Sequence, residues 1–323
     1  MQHNSAIVLG ASGFIGTRLV KHLVGRGATS VRALDIEPAR ERLDGVEYKI
    51  HDIREPIPKE YGIGGSIVYN LAAVHRTPGH ADWEYFEYNV SGALNAVAFA
   101  DACDIRTIVF TSSIAVYGPS EETVLETSPL RPTSSYGRSK RLAERVHEQW
   151  LRQGNGRRLI VLRPGVIFGP GERGNYTRLA KALRKGYFVY PGRRDTIKSG
   201  GYVDELLRSM EFAVDRDDTY ILYNFAYPDL STTEDIVKAF ASVTGTVVRP
   251  PTLPIAPLRA ASYVLEAANA LGVSSPINYA RVLKLTQSTR VAPGWLQANN
   301  YRFSTSLRTA LESWRDETDG RFD

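Results

Sequence analysis

Short apolar segments alternate with amphipathic segments along the first half of the chain. The apolar segments cover residues 6–9, 31–34, 47–50, 66–71, 107–112 and 159–163. Apolar residues recur at helical spacing in residues 17–23, 89–100 and 139–146. Strands that are apolar throughout, separated by helices, predict a parallel sheet that is covered by helices on both faces. The pattern therefore predicts an α/β fold with a doubly wound parallel sheet.

The second half of the chain has a different pattern. From residue 166 onward glycine and proline become frequent, as in residues 169–171 and 250–254. A strand-like segment at 220–225 predicts that the chain returns to the sheet at about residues 197–226. Helix-like segments follow at 258–271 and 280–285. We therefore expect residues 1–165 to form the sheet domain and residues 166–323 to form mainly a smaller, interrupted C-terminal domain that binds substrate.

Composition argues against several classes of protein. Of the 323 residues, 43% are apolar and 23% are charged, which is typical of a soluble globular protein. The 40 basic and 35 acidic residues are dispersed, so we expect no nucleic-acid partner. No apolar run is long enough to span a membrane. The single cysteine, Cys103, fits a reducing compartment, and the segment before the first strand leaves no room for a signal peptide. These features predict a cytoplasmic protein.

Three glycines mark the turn between the first predicted strand and the first predicted helix. Gly10, Gly13 and Gly16 let the backbone turn tightly, admit a diphosphate and pack the helix close to the strand. The free N–H groups and the dipole at the start of the helix then bind the anion. Ordinary structural turns share this spacing, so its meaning depends on the residues that follow.

The ends of the second and third predicted strands supply that context. Asp35 ends the second strand 19 residues after Gly16, where a carboxylate grips a ribose diol. Asp35 would repel a 2′-phosphate, which favours NAD over NADP, although Arg40 could accommodate a phosphate. Asp52 follows the third strand, where a carboxylate could bind the adenine amino group. Together these residues predict a Rossmann-type, NAD-binding domain over residues 1–165.

Three residues near the later strands are candidates for catalysis. Tyr136 and Lys140 are four residues apart at the start of a helical segment, so they lie on one helical face. A tyrosine is a poor base at neutral pH, but a lysine ammonium and an oxidised nicotinamide ring nearby lower its pKa. Ser113 ends the fifth strand 23 residues upstream and can hydrogen-bond the same substrate oxygen. The set predicts deprotonation of a secondary alcohol while hydride leaves its carbon.

With these residues in place, the chain resembles the extended short-chain dehydrogenases/reductases of the NAD-dependent epimerase/dehydratase family. More narrowly, it is similar to bacterial sugar-nucleotide (UDP-hexose) 4-epimerases. The motifs that carry the resemblance are residues 10–16, Asp35, Asp52-Ile53, Asn70-Leu71-Ala72-Ala73, Asn89 with Gly92, Ser112-Ser113, Tyr136 with Lys140, residues 162–170 and Tyr202-Val203-Asp204-Glu205-Leu206. These motifs are specific for the family and much less specific for the substrate.

The resemblance implies which residues meet the cofactor. It implies that Phe14 and Ile15 line the diphosphate and that Asn89 supports the active-site backbone. The residues expected to bind NAD are Gly10, Ser12, Gly13, Phe14, Ile15, Gly16, Asp35, Asp52, Ile53, Leu71, Ala72, Ala73, Asn89, Ser112, Tyr136, Lys140 and Pro164. The resemblance also implies a homodimer that uses the helices beginning near Asn89 and Tyr136. No metal site is predicted.

Two positions depart from the pattern of many sugar-nucleotide enzymes. Val166 stands where they carry an asparagine whose amide could hold a diphosphate. Lys198 stands where an arginine is common, and a lysine binds phosphate as a point charge without the fork geometry. Lys198 could equally be a solvated loop lysine. We take Ser113, Val166 and Lys198 as the expected substrate-binding residues, since the resemblance implies that segments past Val166 bind the nucleotide end of an activated sugar.

Missing groups narrow the reaction that the resemblance implies. Ile114 and Ala115 occupy the positions where sugar-nucleotide dehydratases carry an acid and a base, and neither residue can move a proton. Cys103 lies upstream of the strand end where the fucose-type 3,5-epimerase/reductases use a cysteine. The remaining chemistry needs only the serine, the tyrosine, the lysine and the cofactor.

The main hypothesis is an NAD-dependent epimerase that inverts C4 of a nucleotide-linked hexose, with UDP as the expected nucleotide, through a transient 4-keto sugar. One alternative is an NAD(P)-dependent dehydrogenase or reductase of a sugar or another secondary alcohol that releases its cofactor in each turnover. A third hypothesis, from a different class, is a non-catalytic NAD-binding protein. The sequence leaves open which hexose and which nucleotide are bound, and whether an N-acetyl group is accepted.

Overall fold

The computed structural model describes residues 5–76, 79–257 and 286–323, and its centre is a seven-stranded parallel sheet. The strands of the described residues are β1 (Ser5–Leu9), β2 (Ser30–Asp35), β3 (Val46–Ile50), β4 (Ile67–Asn70), β5 (Thr107–Thr111), β6 (Ser120–Val124), β7 (Arg158–Pro164), β8 (Val166–Phe168), β9 (Tyr190–Pro191), β10 (Gly200–Tyr202), β11 (Tyr220–Phe225), β12 (Thr252–Leu253) and β13 (Thr289–Val291). The six predicted strands of the first half and the predicted returning strand form this sheet as β1–β5, β7 and β11, so the predicted parallel sheet is confirmed.

The strands lie in the order β11-β7-β5-β4-β1-β2-β3. The strand order reverses between β1 and β4, because the chain builds outward from β1 in one direction and from β4 in the other. A crevice opens at such a switch point beyond the carboxyl ends of the strands, and ligands of doubly wound sheets bind there. The loop that begins at Gly10 and the segment that begins at Leu71 therefore border the same crevice.

Helices follow most of the strands. The helices of the described residues are α1 (Phe14–Gly25), α2 (Asp82–Phe86), α3 (Gly92–Ala102), α4 (Ser135–Arg152), α5 (Asn175–Arg184), α6 (Val203–Val214), α7 (Thr233–Thr244), α8 (Gly294–Ala298) and α9 (Leu307–Glu317). The predicted helices at 17–23 and 139–146 lie within α1 and α4. The helix predicted from residue 89 has a different start, because Glu87–Ser91 form a π-helical turn before α3. The helices predicted at 258–271 and 280–285 lie outside the described residues.

Alternate side chains of β1 enter two different cores, as expected for a sheet buried on both faces. Ala6 and Val8 pack in a cluster with residues of α1 and α6. Ile7 and Leu9 pack in a second cluster with residues of α3 and α4. The two layers of helices explain why the strands are apolar throughout rather than alternating. The Rossmann-type α/β fold predicted from the sequence is therefore confirmed.

The second half of the chain builds smaller units beside the sheet. Three two-stranded parallel pairs, β8 with β10, β9 with β12 and β6 with β13, connect segments that are distant in sequence. A third buried cluster, centred on Phe168, Tyr176 and Trp314, packs these segments together. The division of the chain at residue 165 stays a prediction. Over the residues that the structure describes, no helix is long and apolar enough to cross a membrane.

Candidate active site

The glycine turn after β1 forms a cradle at the start of α1. Gly10 has a φ of +83°, and a Cβ there would lie 2.6 Å from the backbone nitrogen of Ala72. A Cβ on Gly16 would lie 2.1 Å from the carbonyl oxygen of Gly10. Gly13 caps α1 without a side chain, so the first N–H groups of the helix face the loop. The turn thus has the close approach and the free donors that a diphosphate requires.

Asp35 lies against this cradle at the end of β2. Its Oδ2 accepts a hydrogen bond of 2.8 Å from the backbone N–H of Ser12, and its Oδ1 accepts one of 3.0 Å from Glu37. The hydroxyl of Ser12 donates to the carbonyl oxygen of Glu37 at 2.8 Å. The structure therefore brings the predicted ribose carboxylate and the predicted diphosphate loop together. The contact of Asp35 with a ribose stays a prediction.

Asp52 carries a partner that the sequence reading did not include. The guanidinium of Arg54 donates to both carboxylate oxygens, at 3.1 Å and 2.6 Å, and its backbone N–H donates at 3.0 Å. These bonds from Arg54 hold the pKa of Asp52 below its ordinary value. The guanidinium also lies 4.2 Å from the ring centroid of Tyr88. Arg54 thus fixes the ionised carboxylate that is predicted to meet adenine.

The segment after β4 forms the wall of the crevice, and Asn89 holds it in place. The side-chain amide of Asn89 accepts from the backbone N–H of Val74 at 3.0 Å and donates to its carbonyl at 3.1 Å. The same amide donates to the hydroxyl of Ser139, which in turn donates to the carbonyl oxygen of Tyr136. Asn89 is 3% exposed. The hydrogen bonds of Asn89 suit the supporting role that the resemblance implies. Asn89 would affect the cofactor indirectly, by holding the segment after β4 in place.

Ser113, Tyr136 and Lys140 come together at the carboxyl end of β5. Ser134 caps α4 by accepting from the N–H of Gly137, which places Tyr136 and Lys140 one turn apart in the first half of the helix. The Nζ of Lys140 donates to the carbonyl oxygen of Thr111 at 2.8 Å. The hydroxyl of Ser113 interacts with the phenol of Tyr136. The helix start and the strand end are thus joined at the predicted catalytic set.

Burial shifts the two titratable groups of this set toward their neutral forms. It raises the pKa of Tyr136 to about 12, and the hydrogen bond from Ser113 opposes that shift. It lowers the pKa of Lys140 to about 7, opposed by the charge of Glu144. A positive charge brought into the crevice would favour the phenolate of Tyr136. A cation bound in the crevice would therefore lower the pKa of Tyr136, so that its phenolate could act as a base close to neutral pH.

The family follows from comparison with known proteins. The model of the NAD dependent epimerase/dehydratase family matches residues 6–226, which is more than half of the chain. The chain belongs to this family. The N-acetyl-alpha-D-glucosaminyl-diphospho-ditrans,octacis-undecaprenol 4-epimerase of Escherichia coli O157:H7 is 30% identical over 245 residues, covering 75% of this chain and 73% of that protein.

Solved structures of other proteins share the fold of this epimerase/dehydratase chain. The UDP-glucuronic acid 4-epimerase of Bacillus cereus, in complex with UDP-glucuronic acid and NAD, matches with a TM-score of 0.77 at 18% identity, over 98% of this chain and 99% of that one. TunA, an NAD dependent-NDP-hexosamine 5,6-dehydratase, matches with a TM-score of 0.67 at 22% identity, over 77% and 85%. Epimerases and dehydratases therefore share this architecture, and the fold alone does not separate them.

NAD is the cofactor of this epimerase/dehydratase chain, and the residues present fit it. The cradle at Gly10 and Gly16 leaves no room for side chains, as close approach of a diphosphate requires. Among the described residues, the buried side-chain oxygens of Asn70, Thr111 and Ser112 have no hydrogen-bond partner at the carboxyl ends of β4 and β5. Buried polar atoms without partners are rare, so they indicate a polar ligand at this edge. The predicted contacts of Leu71, Ala72, Ala73 and Pro164 lie at strand ends on the same edge.

The expected substrate residues lie beyond the other strand ends. The N–H of Val166 donates to the carbonyl oxygen of Ser199, so Val166 is tied to the segment that carries Lys198. The Nζ of Lys198 donates to the carbonyl oxygen of Gln287 at 2.7 Å, and burial lowers its pKa to about 8. Lys198 is therefore not a freely solvated loop lysine.

Arg290 is a residue of this region that the sequence reading missed. Lys198 forms a β-bridge with Thr289, and Arg290 is the following residue of β13. The Nε of Arg290 is buried and has no hydrogen-bond partner among the described residues. β13 pairs with β6, which follows the loop of Ser113. No pattern in the sequence links residues 198 and 290, because the bridge joins segments about ninety residues apart.

Proposed function

We propose that this protein is an NAD-dependent sugar-nucleotide 4-epimerase that inverts C4 of a hexose linked to a nucleoside diphosphate, with UDP as the nucleotide. The observation that carries the proposal is the meeting of Ser113, Tyr136 and Lys140 beside apolar Ile114 and Ala115. Ile114 is buried, and the N–H of Ala115 donates to the Ser113 hydroxyl. A dehydratase needs an acid and a base at those two positions, and this chain has neither.

Each catalytic residue has a distinct part in this proposal. The phenolate of Tyr136 takes the proton of the C4 hydroxyl and returns it after the sugar has turned. Ser113 hydrogen-bonds the same oxygen, and Lys140 favours the phenolate through its charge. NAD, when bound, supplies a hydride acceptor and then the hydride donor. Because the cofactor ends each cycle unchanged, no external reductant is needed.

Lys198 and Arg290 are the residues that would meet the diphosphate of the substrate. Lys198 offers an ammonium, and Arg290, whose Nε has no hydrogen-bond partner among the described residues, offers a guanidinium on the strand that bridges to Lys198. Together they could replace the arginine and the asparagine amide that the chain lacks at positions 198 and 166. A guanidinium can hold phosphate oxygens in a fork, which a lysine alone cannot do.

A lipid-linked sugar is the second candidate substrate. The E. coli relative, by its name, acts on N-acetylglucosamine joined through a diphosphate to undecaprenol. A nucleotide-linked and a polyprenol-linked hexose share the sugar and the diphosphate and differ in the group beyond them. Val166 is apolar and half-buried, so it offers neither an amide nor a charge to the substrate, and it does not favour one of the two substrates over the other. Both substrates therefore belong in the same assay.

We also infer the organisation of the whole protein. Residues 1–165 would bind NAD, and residues 166–323 would bind mainly the substrate. The strand β11 and the helix α6 pack on the sheet, which supports the predicted return of the chain at about residues 197–226. A homodimer through α3 and α4 is supported by Leu94 and Leu142, which are 52% and 41% exposed on these helices. The cytoplasm remains the expected compartment.

The test is epimerisation without added cofactor. Purified protein is incubated with UDP-glucose, UDP-N-acetylglucosamine or a polyprenyl diphosphate-linked N-acetylglucosamine, and the configuration at C4 is read by NMR. An epimerase that retains NAD forms the C4 epimer without added NAD, and heat denaturation of the protein releases the nucleotide. A dehydrogenase stalls until NAD is supplied, and a dehydratase gives a product lighter by one water. Either outcome contradicts the proposal.

A further inference from the structure

A chain of buried polar side chains lies beneath the catalytic helix. The guanidinium of Arg163 on β7 donates to both carboxylate oxygens of Glu144 on α4, from Nε at 2.8 Å and from Nη2 at 2.7 Å. Its Nη1 donates to the hydroxyl of Tyr117 at 2.7 Å, and that hydroxyl donates to Asn224 on β11 at 2.8 Å. The side chains of Arg163 and Glu144 are 4% and 3% exposed. The ion pair is therefore fully removed from water.

Stability does not account for an ion pair in this position. Taking two charges out of water is unfavourable, and their mutual attraction barely offsets that loss. Apolar residues of similar volume in place of such a pair are often neutral or stabilising. The pair joins the middle of α4 to β7, the strand next to the edge strand β11. Its placement therefore points to a use other than holding the fold.

Glu144 lies one helical turn after Lys140 on the same face of α4. Lys140 is 2% exposed, and burial favours its neutral amine. Glu144 supplies the negative charge that opposes this effect. Arg163 holds Glu144 in place by donating to both of its carboxylate oxygens. Arg163 of β7 thus holds the carboxylate by hydrogen bonds, and the carboxylate acts on the ammonium through its charge, without a direct ion pair.

The other titratable groups around Lys140 do not supply a negative charge. His147, one turn beyond Glu144, stacks on Phe110 at 4.1 Å, and burial lowers its pKa to about 4, so it is neutral. Burial also lowers the pKa of His75, on the loop after β4, with Lys140 acting in the same direction. Tyr136 is protonated at neutral pH in this structure. Over the described part of the chain, Glu144 is thus the acidic side chain whose charge opposes the effect of burial on Lys140.

We propose that Glu144, held by Arg163, is a positioning residue that keeps the ammonium form of Lys140 beside Tyr136. The inference rests on the proposed function only for its consequence in turnover, since the state of Lys140 is a property of the protein itself. Glu144 touches neither the reacting atoms nor the cofactor, and it acts through Lys140.

The decisive variant removes the pair as a whole. In the double variant Glu144→Met/Arg163→Met no buried charge is left without a partner, so we expect it to fold. The reactivity of Lys140 is then followed by trace acetylation with acetic anhydride over a pH series, with mass spectrometry of the peptide that contains it. Only the neutral amine reacts, so the pH midpoint of labelling reports the protonation of Lys140. This readout needs neither substrate nor turnover.

We expect the labelling midpoint of Lys140 to fall by about one pH unit in the double variant, because the negative charge that opposes the effect of burial on Lys140 is then absent. Lys198 in the same digest serves as an internal reference that does not move. Tyr117→Phe is the matched control, because it removes a hydrogen bond of Arg163 and leaves both charges. It should lower the melting temperature and leave the Lys140 midpoint unchanged.

Two outcomes overturn the proposal. Superimposable labelling curves for the unmodified protein and the double variant would show that the pair does not act on Lys140. An equal shift in Tyr117→Phe would show that packing, and not charge, sets the state of Lys140. Should the double variant fail to fold, Glu144→Gln tests the same charge with the same measurement. Absence of epimerase activity would contradict the proposed function and leave this result intact.

Discussion

The backbone N–H of Ser12 donates a hydrogen bond of 2.8 Å to Oδ2 of Asp35. The bond joins the glycine turn after β1 to the end of β2, so the carboxylate and the diphosphate cradle form one structural unit. A change in the charge at position 35 therefore acts directly on the glycine turn, the part of the crevice that is predicted to distinguish NAD from NADP.

Replacing Asp35 should relax the choice of cofactor. Like charges about 4 Å apart repel by about 4 kcal/mol at an effective dielectric near 20, so Asp35 disfavours a 2′-phosphate. We expect Asp35→Asn to narrow the ratio of the NADP and NAD dissociation constants at least about tenfold. Asp35→Ala should also weaken NAD binding, because it removes the acceptors of Ser12 and Glu37. Calorimetry measures both constants. Equal affinity of the unmodified protein for the two cofactors would contradict the role of Asp35.

Two glycines of the cradle should respond differently to the same added methyl group. A Cβ on Gly16 meets the carbonyl oxygen of Gly10 at 2.1 Å, whereas a Cβ on Gly13 meets the same oxygen at 3.4 Å. We expect Gly16→Ala to destabilise the fold by about 1–3 kcal/mol and Gly13→Ala to leave it nearly unchanged. Denaturant unfolding without NAD measures the difference. Equal stabilities for the two variants would show that the turn is not packed as described.

Loss of the Tyr136 hydroxyl should abolish most of the turnover and leave cofactor binding. General acid–base catalysis contributes about 10²–10⁴-fold, so Tyr136→Phe should lower kcat within that range. Tyr85→Phe is the matched control, since its ring lies 6.3 Å from that of Tyr136 and its hydroxyl donates to the carbonyl of Arg76. We expect this variant to keep most of its kcat. A similar loss in both variants would remove Tyr136 from the role of base.

The buried imidazole of His147 should make the protein sensitive to mild acid. Burial lowers its pKa to about 4, and the ring hydrogen-bonds to the carbonyl oxygen of Ala143. In the unfolded chain a histidine has a pKa of about 6.5, so between these values the unfolded state binds more protons. The free energy of unfolding therefore falls as the pH drops from about 6.5 to about 4, by at most about 1.4 kcal/mol per pH unit.

Urea unfolding at several pH values tests this dependence. We expect His147→Gln to flatten the curve between pH values of about 4 and 6.5. His80→Gln, which changes an exposed histidine, should keep the slope of the unmodified protein. An unchanged slope in His147→Gln would assign the acid sensitivity to other groups.

Local patterns determined the strands, the glycine turn and the pairing of Tyr136 with Lys140. Each apolar segment of the first half became a strand of the parallel sheet, because a strand buried on both faces must be apolar along its length. Tyr136 and Lys140 could be paired from their spacing, since residues four apart share a face of any helix. Asp35 was predictable because its place depends on one strand and one turn. These features are encoded within about thirty neighbouring residues.

Tertiary structure alone decided which distant side chains meet. Glu144 and Arg163 come from α4 and β7, and a β-bridge joins Lys198 to Thr289, the residue before Arg290. Likewise, Asn89 ties Val74 to Ser139 across fifteen and fifty residues. Such partners follow from how helices and strands pack, and the periodicity of a single segment carries no information about them. The buried hydrogen-bond network near Lys140 could therefore not be predicted from the sequence, although the sequence contains every residue that forms it.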